Sequence, residues 1–373
     1  MPDVASQARR VRYVDFPAQY AEERDAIVAL VDDVFGSGAF VGGAHIERFE
    51  QAAAAYVGVK HAIALNSGTD ALILAMKGFG IGPGDEVITP PNSFVASTAA
   101  ITATGAVPVF ADVKADQNVD PDAVEAAITE RTRAIMPVHL TGRVAEMDRI
   151  MEIADQHGIK VIEDAAQSFG SRYQDQMSGA IGHAGCFSAH PLKNLNAAGD
   201  AGFITTDDDA MAARVRLLRN HGLKDRETVV EWGTVSRLDN LQAAILTHRL
   251  GRVDAVIGKR RANAALYRAL LPEAHVFMPP CRQQEFNTFH TFVVQVDRRD
   301  ELRAYLMERG IETAVHYPVP IHLQPAASAL GHKAGDFPAT EEQAARIVSL
   351  PVHQFLSEDD IRYIASTIEA FHK

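Results

Sequence analysis

Between residues 60 and 210, short apolar runs alternate with helix-like segments, and this alternation constrains the fold more than any other property of the chain. AIAL at 62–65 leads through Ser67, Gly68 and Thr69 into the helical pattern DALILAMKGF. Residues 86–89 precede the small-residue helix SFVASTAAITATG, which Gly105 closes. PVFADV at 108–113 reads as a strand, and DPDAVEAAI after it has the acidic first turn of a helix. AIMPVHL at 134–140 and KVIE at 160–163 flank the helix AEMDRIMEIADQHG, ended by Gly158, and residues 203–206 add a further strand. Apolar strands separated by helices predict an α/β fold with a mainly parallel sheet covered by helices. Ligands on such sheets bind beyond the carboxyl ends of the strands. The polar candidates Ser67 to Thr69, Asp164 and Lys193, with the aromatic Phe94, all fall at or just after those ends.

From Leu238 the pattern turns long and helical, and TFVVQV, DELRAYLMERG and the Pro-rich YPVPIHL follow as a smaller α+β unit. Thr340 and Gln343 have capping-box spacing, which places a helix start before EEQAARIV. A chain of 373 residues exceeds one ordinary core. The expected division is a large domain over 1–250, N-terminal segment included, and a small C-terminal domain over 251–373.

A net charge of −12 argues against a nucleic-acid partner. The two cysteines, Cys186 and Cys281, lie far apart in sequence and form neither a disulfide framework nor a metal-ligand pattern, so no metal is expected. The N-terminal MPDVASQARRVRYVDF lacks the apolar core of a signal peptide, and no apolar run is long enough to span a bilayer. The expectation is a cytoplasmic protein without a membrane partner.

Asn66 to Asp70, between strand and helix, offers free backbone amides and hydroxyls at a positive helix end, which suits a phosphate. The same residues also read as a plain helix cap, with Ser67 or Thr69 as N-cap. No G-x-x-x-x-G-K-[ST] loop occurs, and Gly78, Gly80, Gly82 and Gly84 lack the spacing of a dinucleotide fingerprint. Asp164 ends an apolar run. A carboxylate there can keep a pyridine nitrogen protonated, or simply cap the next turn. Gln167 can donate to a ring oxygen. Lys193 stands among turn-forming residues in SAHPLKN, where an amine of lowered proton affinity forms a Schiff base, although most lysines are surface residues. Ser188 can supply a hydroxyl to a phosphate. Taken together in this order, Asp164 and Lys193 look like the two halves of a pyridoxal-phosphate site.

FVGGAHIERFEQAAAAYVGVKHAIALNSGTDAL, GPGDEVITPPNSFVAST, PVHLTGRVAEMDRI, IEDAAQSFGSRY, GCFSAHPLKNLNAAGDAGFITT, SRLDNLQAAIL and HYPVPIHLQPA run in order along the chain. On these motifs the sequence resembles the DegT/DnrJ/EryC1/StrS sugar aminotransferases from about Val14 to the C-terminus. The resemblance implies the aspartate-aminotransferase fold (pyridoxal-phosphate fold type I) and a homodimer with shared active sites. It matches Lys193 to the Schiff-base lysine, Asp164 to the pyridinium partner, Gln167 to the position beside the cofactor hydroxyl and Phe94 to the ring-stacking aromatic. Gly68, Thr69 and Ser188 match phosphate contacts. Dehydratase relatives replace the lysine with histidine; this chain keeps it.

One departure stands out. Val235 occupies the place of an asparagine that in the family reaches the partner subunit's cofactor phosphate, and valine cannot make that hydrogen bond. Either another group such as Ser236 or Thr234 supplies it, or the phosphate is held less firmly. Arg237 is kept, with a carboxylate or phosphate contact or an interface salt bridge as its two readings. His190, Tyr317 and His322 are candidates for substrate contact, ranked ahead of His316. The implied reaction moves an amine from a donor amino acid, L-glutamate by expectation, through the pyridoxamine phosphate form to a keto group on a nucleotide-linked sugar, yielding aminosugars for polysaccharide or glycosylated metabolites. An aminocyclitol ketone or a sugar phosphate as acceptor, or a cofactor-binding regulator without turnover, are the alternatives.

Overall fold

The computed structural model describes residues 9–373. The reading of the N-terminus as leader-free rests partly on residues 1–8, which lie outside the described residues. β1 (His61–Leu65), β2 (Glu86–Thr89), β3 (Val107–Phe110), β4 (Thr132–Ile135), β5 (Lys160–Asp164), β6 (Ala184–Ser188) and β7 (Gly202–Thr206) make one sheet. Its order is β1-β7-β6-β5-β4-β2-β3. β3, β2, β4, β5 and β6 pair in parallel, whereas β7 runs antiparallel to both β6 and β1. The sheet is therefore mainly parallel with one reversed strand.

Side-chain alternation assigns the strands to two covering layers. Ile63, Leu65, Ile162, Cys186 and Ile204 face a core with α1 (Gly68–Gly78), which buries Ala71, Leu72, Leu74, Ala75 and Met76. Their neighbours Ala62, Ala64, Phe187 and Phe203 face the helices Ala44–Val57 and Asn240–Leu250. There Phe187 stacks on Phe203 with centroids 4.7 Å apart.

α2 (Val95–Ala103) follows β2 and ends before Gly105, whose φ of 84° suits glycine. The long helical stretch breaks at Gly251 and Arg252, and its second half is α3 (Val253–Leu270). This helix serves two cores. Val253 and Ile257 pack with the large sheet, while Ala264 and Tyr267 join Phe292, Leu302, Ile311, Val348 and Ile364. β8 (Phe292–Gln295) and β9 (Ile347–Leu350) form the antiparallel ladder of that second core. Val11 belongs to it too, through a bridge to Ile311, so the N-terminal strand segment packs with the C-terminal unit.

Three local expectations change. β4 ends at Ile135, and beyond it only Val138 still bridges Asp164 in parallel, with the Asp164 amide donating to Pro137 O at 2.9 Å and the His139 amide to Asp164 O at 3.0 Å. The segment GCFS is itself a strand, β6. The capping box at Thr340 does not form, because the helix begins at Pro338, with Phe337 at the N-cap. Its first amides are met from a distance: Asp112 accepts from the Ala339 and Thr340 amides at 3.0 Å each and from Thr340 Oγ1 at 2.8 Å. Gln343 Nε2 donates to the Lys114 carbonyl at 2.8 Å.

Cys186 is buried and Cys281 exposed, and both are free. No described helix is long and apolar enough to cross a membrane. No cluster of metal-ligating side chains occurs among the described residues.

Candidate active site

A cavity of about 390 Å³ lies at the carboxyl ends of β1, β5 and β6. Gly68, Thr69, Phe94, Asp164, Gln167, Ser188, His190, Lys193 and Tyr317 line it together.

One end is built by the first turn of α1. Ser67 is the N-cap, and its hydroxyl accepts from the Asp70 amide at 3.1 Å. The Gly68 and Thr69 amides make no backbone hydrogen bond among the described residues, so the cap and the cradle coexist. Close packing sets the cradle's shape. A Cβ on Gly68 would lie 2.6 Å from Ser188 Cβ, and one on Gly202 would lie 2.3 Å from the Ser67 carbonyl carbon. Leu65 and Ser188 both pair with Gly202, which brings the α1 turn and the end of β6 side by side.

Asp164 closes β5 and is 5% exposed. Its Oδ2 accepts from Ser97 Oγ at 2.7 Å and its Oδ1 from the Ala166 amide at 3.2 Å. Burial raises its proton affinity, while the Ser97 and Ala166 donors and the Lys193 ammonium oppose that rise. Beside it, the buried His139 Nε2 donates to Glu163 Oε2 at 2.8 Å, with Nδ1 accepting from the Ala145 amide at 3.2 Å. Glu163 also accepts from the Gly179, Ile181 and Gly182 amides at 2.7, 2.9 and 2.6 Å, which ties β5 to the loop entering β6.

Lys193 sits in the connection between β6 and β7. The Ala189 amide donates to Ala201 O at 2.8 Å, and the Lys193 amide to His190 O at 2.8 Å. Burial brings the Lys193 ammonium down to about 8, an effect the Asp164 carboxylate partly offsets. A sizeable fraction of neutral amine near neutral pH is what a nucleophilic lysine needs. Gln167 accepts from the Thr141 amide at 2.8 Å and donates to the Tyr317 hydroxyl at 3.3 Å. Phe94, at the N-cap of α2, is 53% exposed, with its ring 5.5 Å from that of Tyr317.

Two candidates lie elsewhere. His322 does not line the cavity. It is buried, bonded to Glu341 Oε1 at 3.0 Å and packed edge-on against Phe337. Arg237 is exposed and donates to Asn220 Oδ1 at 3.2 Å. Val235 is likewise exposed, whereas Ser236 Oγ is buried and donates to Asn66 Oδ1 at 3.1 Å within the chain, so it cannot take over an outward contact. Conversely, His316 does line the cavity, with Nδ1 2.8 Å from Ser349 Oγ, and burial lowers its imidazole to about 4. Tyr13, Arg260, His290, Thr291 and His353 complete this wall, and sequence reading missed them all. One signal was available: Arg260 interrupts the buried stripe Ile257, Ala264, Tyr267 of α3 with a charge.

The residues fit pyridoxal phosphate. Gly68, Thr69 and Ser188 would hold its phosphate, Asp164 its pyridine nitrogen and Lys193 its aldehyde. When bound, that group supplies an electrophilic carbon and an electron-withdrawing ring. Residues 21–369 match the DegT/DnrJ/EryC1/StrS aminotransferase family. The chain is 44% identical over 349 residues to the dTDP-3-amino-3,4,6-trideoxy-alpha-D-glucose transaminase of Streptomyces venezuelae, covering 93% of this chain and 92% of that one. It is 41% identical over 367 residues to a Geobacillus stearothermophilus protein named pleiotropic regulatory protein, covering 97% and 99%. The crystal structure of S. venezuelae DesV with a ketimine intermediate matches with a TM-score of 0.95 at 42% identity, over 98% of this chain and 99% of that one. With lysine, buried carboxylate and phosphate cradle in one cavity and this likeness along its length, the chain belongs to the DegT/DnrJ/EryC1/StrS aminotransferase family and is a pyridoxal-phosphate-dependent aminotransferase.

Proposed function

We propose that this aminotransferase converts a keto group of a nucleotide-linked sugar to an amine, with L-glutamate as nitrogen donor. The observation that carries the reading is the joint placement of Lys193 and Asp164 in one cavity with the Gly68–Thr69 cradle. The likeness to a dTDP-sugar transaminase supports the acceptor class. Lys193 is the base that takes the proton from the donor's α-carbon and returns one during transfer. Asp164, whose burial-raised proton affinity is opposed by the Ser97 hydroxyl and the Ala166 amide, would accept the hydrogen bond of the ring nitrogen when the cofactor is bound. Glutamate leaves as its 2-oxo acid, and the ketosugar takes up the nitrogen with the proton steps reversed.

A homodimer with shared active sites is part of the reading. Trp232 is 90% exposed in a loop that also exposes Val229, Val230 and Val235, and such a patch favours burial against a second copy. The two free cysteines suit a reducing cytoplasm.

The test is the absorbance of the cofactor-loaded protein as L-glutamate and then a nucleotide-linked ketosugar are added. Loss of the visible band with glutamate and its return with the ketosugar is the expected result. A band untouched by any amino acid would favour the regulatory role that one relative's name suggests.

A further inference from the structure

We propose that Arg260 receives the carboxylate of the amino donor and holds it beside Lys193. The inference deepens the transaminase reading and rests on it. Arg260 projects from α3, the helix shared by both cores, and lines the Lys193 cavity although the residue is only 9% exposed. No carboxylate among the described residues pairs with it. Its Nη1 donates to the carbonyls of His290 at 3.0 Å and Phe289 at 3.4 Å, and its Nε is buried without a partner. Nη2 makes no hydrogen bond among the described residues.

A guanidinium taken out of water without an anion is costly, and the protein keeps one on the wall of the cavity that holds Lys193. Burial lowers its proton affinity to about 10, an effect the Tyr13 phenol partly offsets, and that phenol is itself driven upward by burial. At neutral pH Arg260 therefore stays charged and Tyr13 neutral. The surrounding imidazoles add no further positive charge: burial and the Lys193 and Arg260 charges hold His290 neutral, and burial does the same for His316 and His353. The wall is a single cation set among neutral groups. Two more orphaned atoms lie on it, His290 Nδ1 and Thr291 Oγ1.

The reacting carbon decides which anion fits. In an amino acid the carboxylate is bonded directly to the carbon that must reach the cofactor above Lys193. In a nucleotide-linked ketosugar the phosphates stand several bonds from the keto carbon. An anion receptor on the wall beside the lysine therefore matches the donor, and a planar guanidinium can take a carboxylate bidentately. Once the donor leaves as its oxo acid, the same site meets the neutral sugar ring, with the neighbouring histidines and Tyr317 as hydrogen-bonding partners.

The experiment uses cofactor-loaded wild type, Arg260→Gln and Arg260→Lys, with succinate as an unreactive carboxylate probe followed through the cofactor absorbance. Loss of a charge-assisted hydrogen bond predicts succinate binding and glutamate half-saturation weakened roughly 10- to 100-fold in Arg260→Gln, and less in Arg260→Lys. Release of the cofactor from Lys193 by hydroxylamine, which has no carboxylate, should stay within about two-fold of wild type if the pocket is intact. Unchanged succinate binding, or equal losses toward succinate and hydroxylamine, overturns the proposal. Should Arg260→Gln not fold, Arg260→Lys and the wild-type preference for succinate over its uncharged diamide decide, and no preference overturns it. A wild type that binds succinate but exchanges nitrogen with no amino acid would sink the transaminase reading while leaving the Arg260 anion site standing.

Discussion

Replacing Ser97 by alanine tests the electrostatics of the ring-nitrogen site. Ser97 is 1% exposed, and its hydroxyl donates to Asp164 Oδ2 at 2.7 Å. A hydrogen bond to a buried anion contributes about 1.5–3 kcal/mol, and a change of one pH unit in a titration corresponds to about 1.4 kcal/mol. Asp164 already binds its proton more tightly than usual because it is buried. Ser97→Ala removes one of the donors that oppose this rise and should move the titration further upward. Sign follows from linkage. The folded state holds the Asp164 proton to higher pH than the unfolded state, so this group's contribution to stability falls as pH rises through the folded titration. The variant extends that fall to higher pH. With the cofactor bound, a more basic Asp164 would compete for the ring-nitrogen proton and so weaken the electron withdrawal that group supplies when the donor's α-carbon is deprotonated. The assay is stopped-flow loss of the visible band with L-glutamate between pH 6 and 9, pH limits chosen to span about one unit either side of neutrality and Lys193. A rate reduced about 10-fold or more, with its acidic limb displaced upward, is expected. Ser97→Cys, a weak donor of similar shape, should fall between. Wild-type rate and pH profile in a folded Ser97→Ala would refute the claim that this hydroxyl sustains the anion.

Lys193→Ala should give no visible band when cofactor is added. Because the folded-state ammonium titrates at about 8 rather than 10.5, the unfolded chain binds more protons across that window, and cofactor-free wild type should gain stability over the variant from pH 8 to 10.5. Parallel melting temperatures across that range would contradict it. Gly202→Ala forces a methyl to 2.3 Å from the Ser67 carbonyl carbon, so it should cost about 1–3 kcal/mol of stability and weaken cofactor retention, as read by thermal melts and dialysis equilibrium. His322→Ala removes the buried contact to Glu341 and Phe337, so it should lower the melting temperature and leave the donor KM within about two-fold. A selective KM change without destabilisation would place His322 in the site after all.

The large sheet was legible because its strands are apolar runs spaced by helices, and period and turn residues act locally. Asp164, Lys193 and Gly68 were legible because each lies at or shortly after a strand's carboxyl end and a family motif surrounds it. What escaped was non-local. The Thr340 spacing looked like a cap, but a carboxylate 228 residues earlier in sequence does that work. Tyr317 and His322 share one motif, yet the intervening turn sends one to the cavity and the other under Phe337. Arg260 sits in KRRANAALYR, where it looks like any solvated charge until α3 is seen to be packed on both sides.

The reversed strand β7 has a consequence for which cofactors the protein can accept. Ser188, at the end of β6, is locked by register to Gly202, and Lys193 hangs from the connection that the pair closes. On the proposed cofactor placement, the hairpin would set the span between the phosphate end of the ligand and the amine that captures it. A cofactor analogue with one extra methylene between ring and phosphate should overrun that span and leave its carbonyl out of register with Lys193. Substituents on the ring edge toward Phe94 and Tyr317, where the wall belongs to other elements, should be measured against no such fixed span.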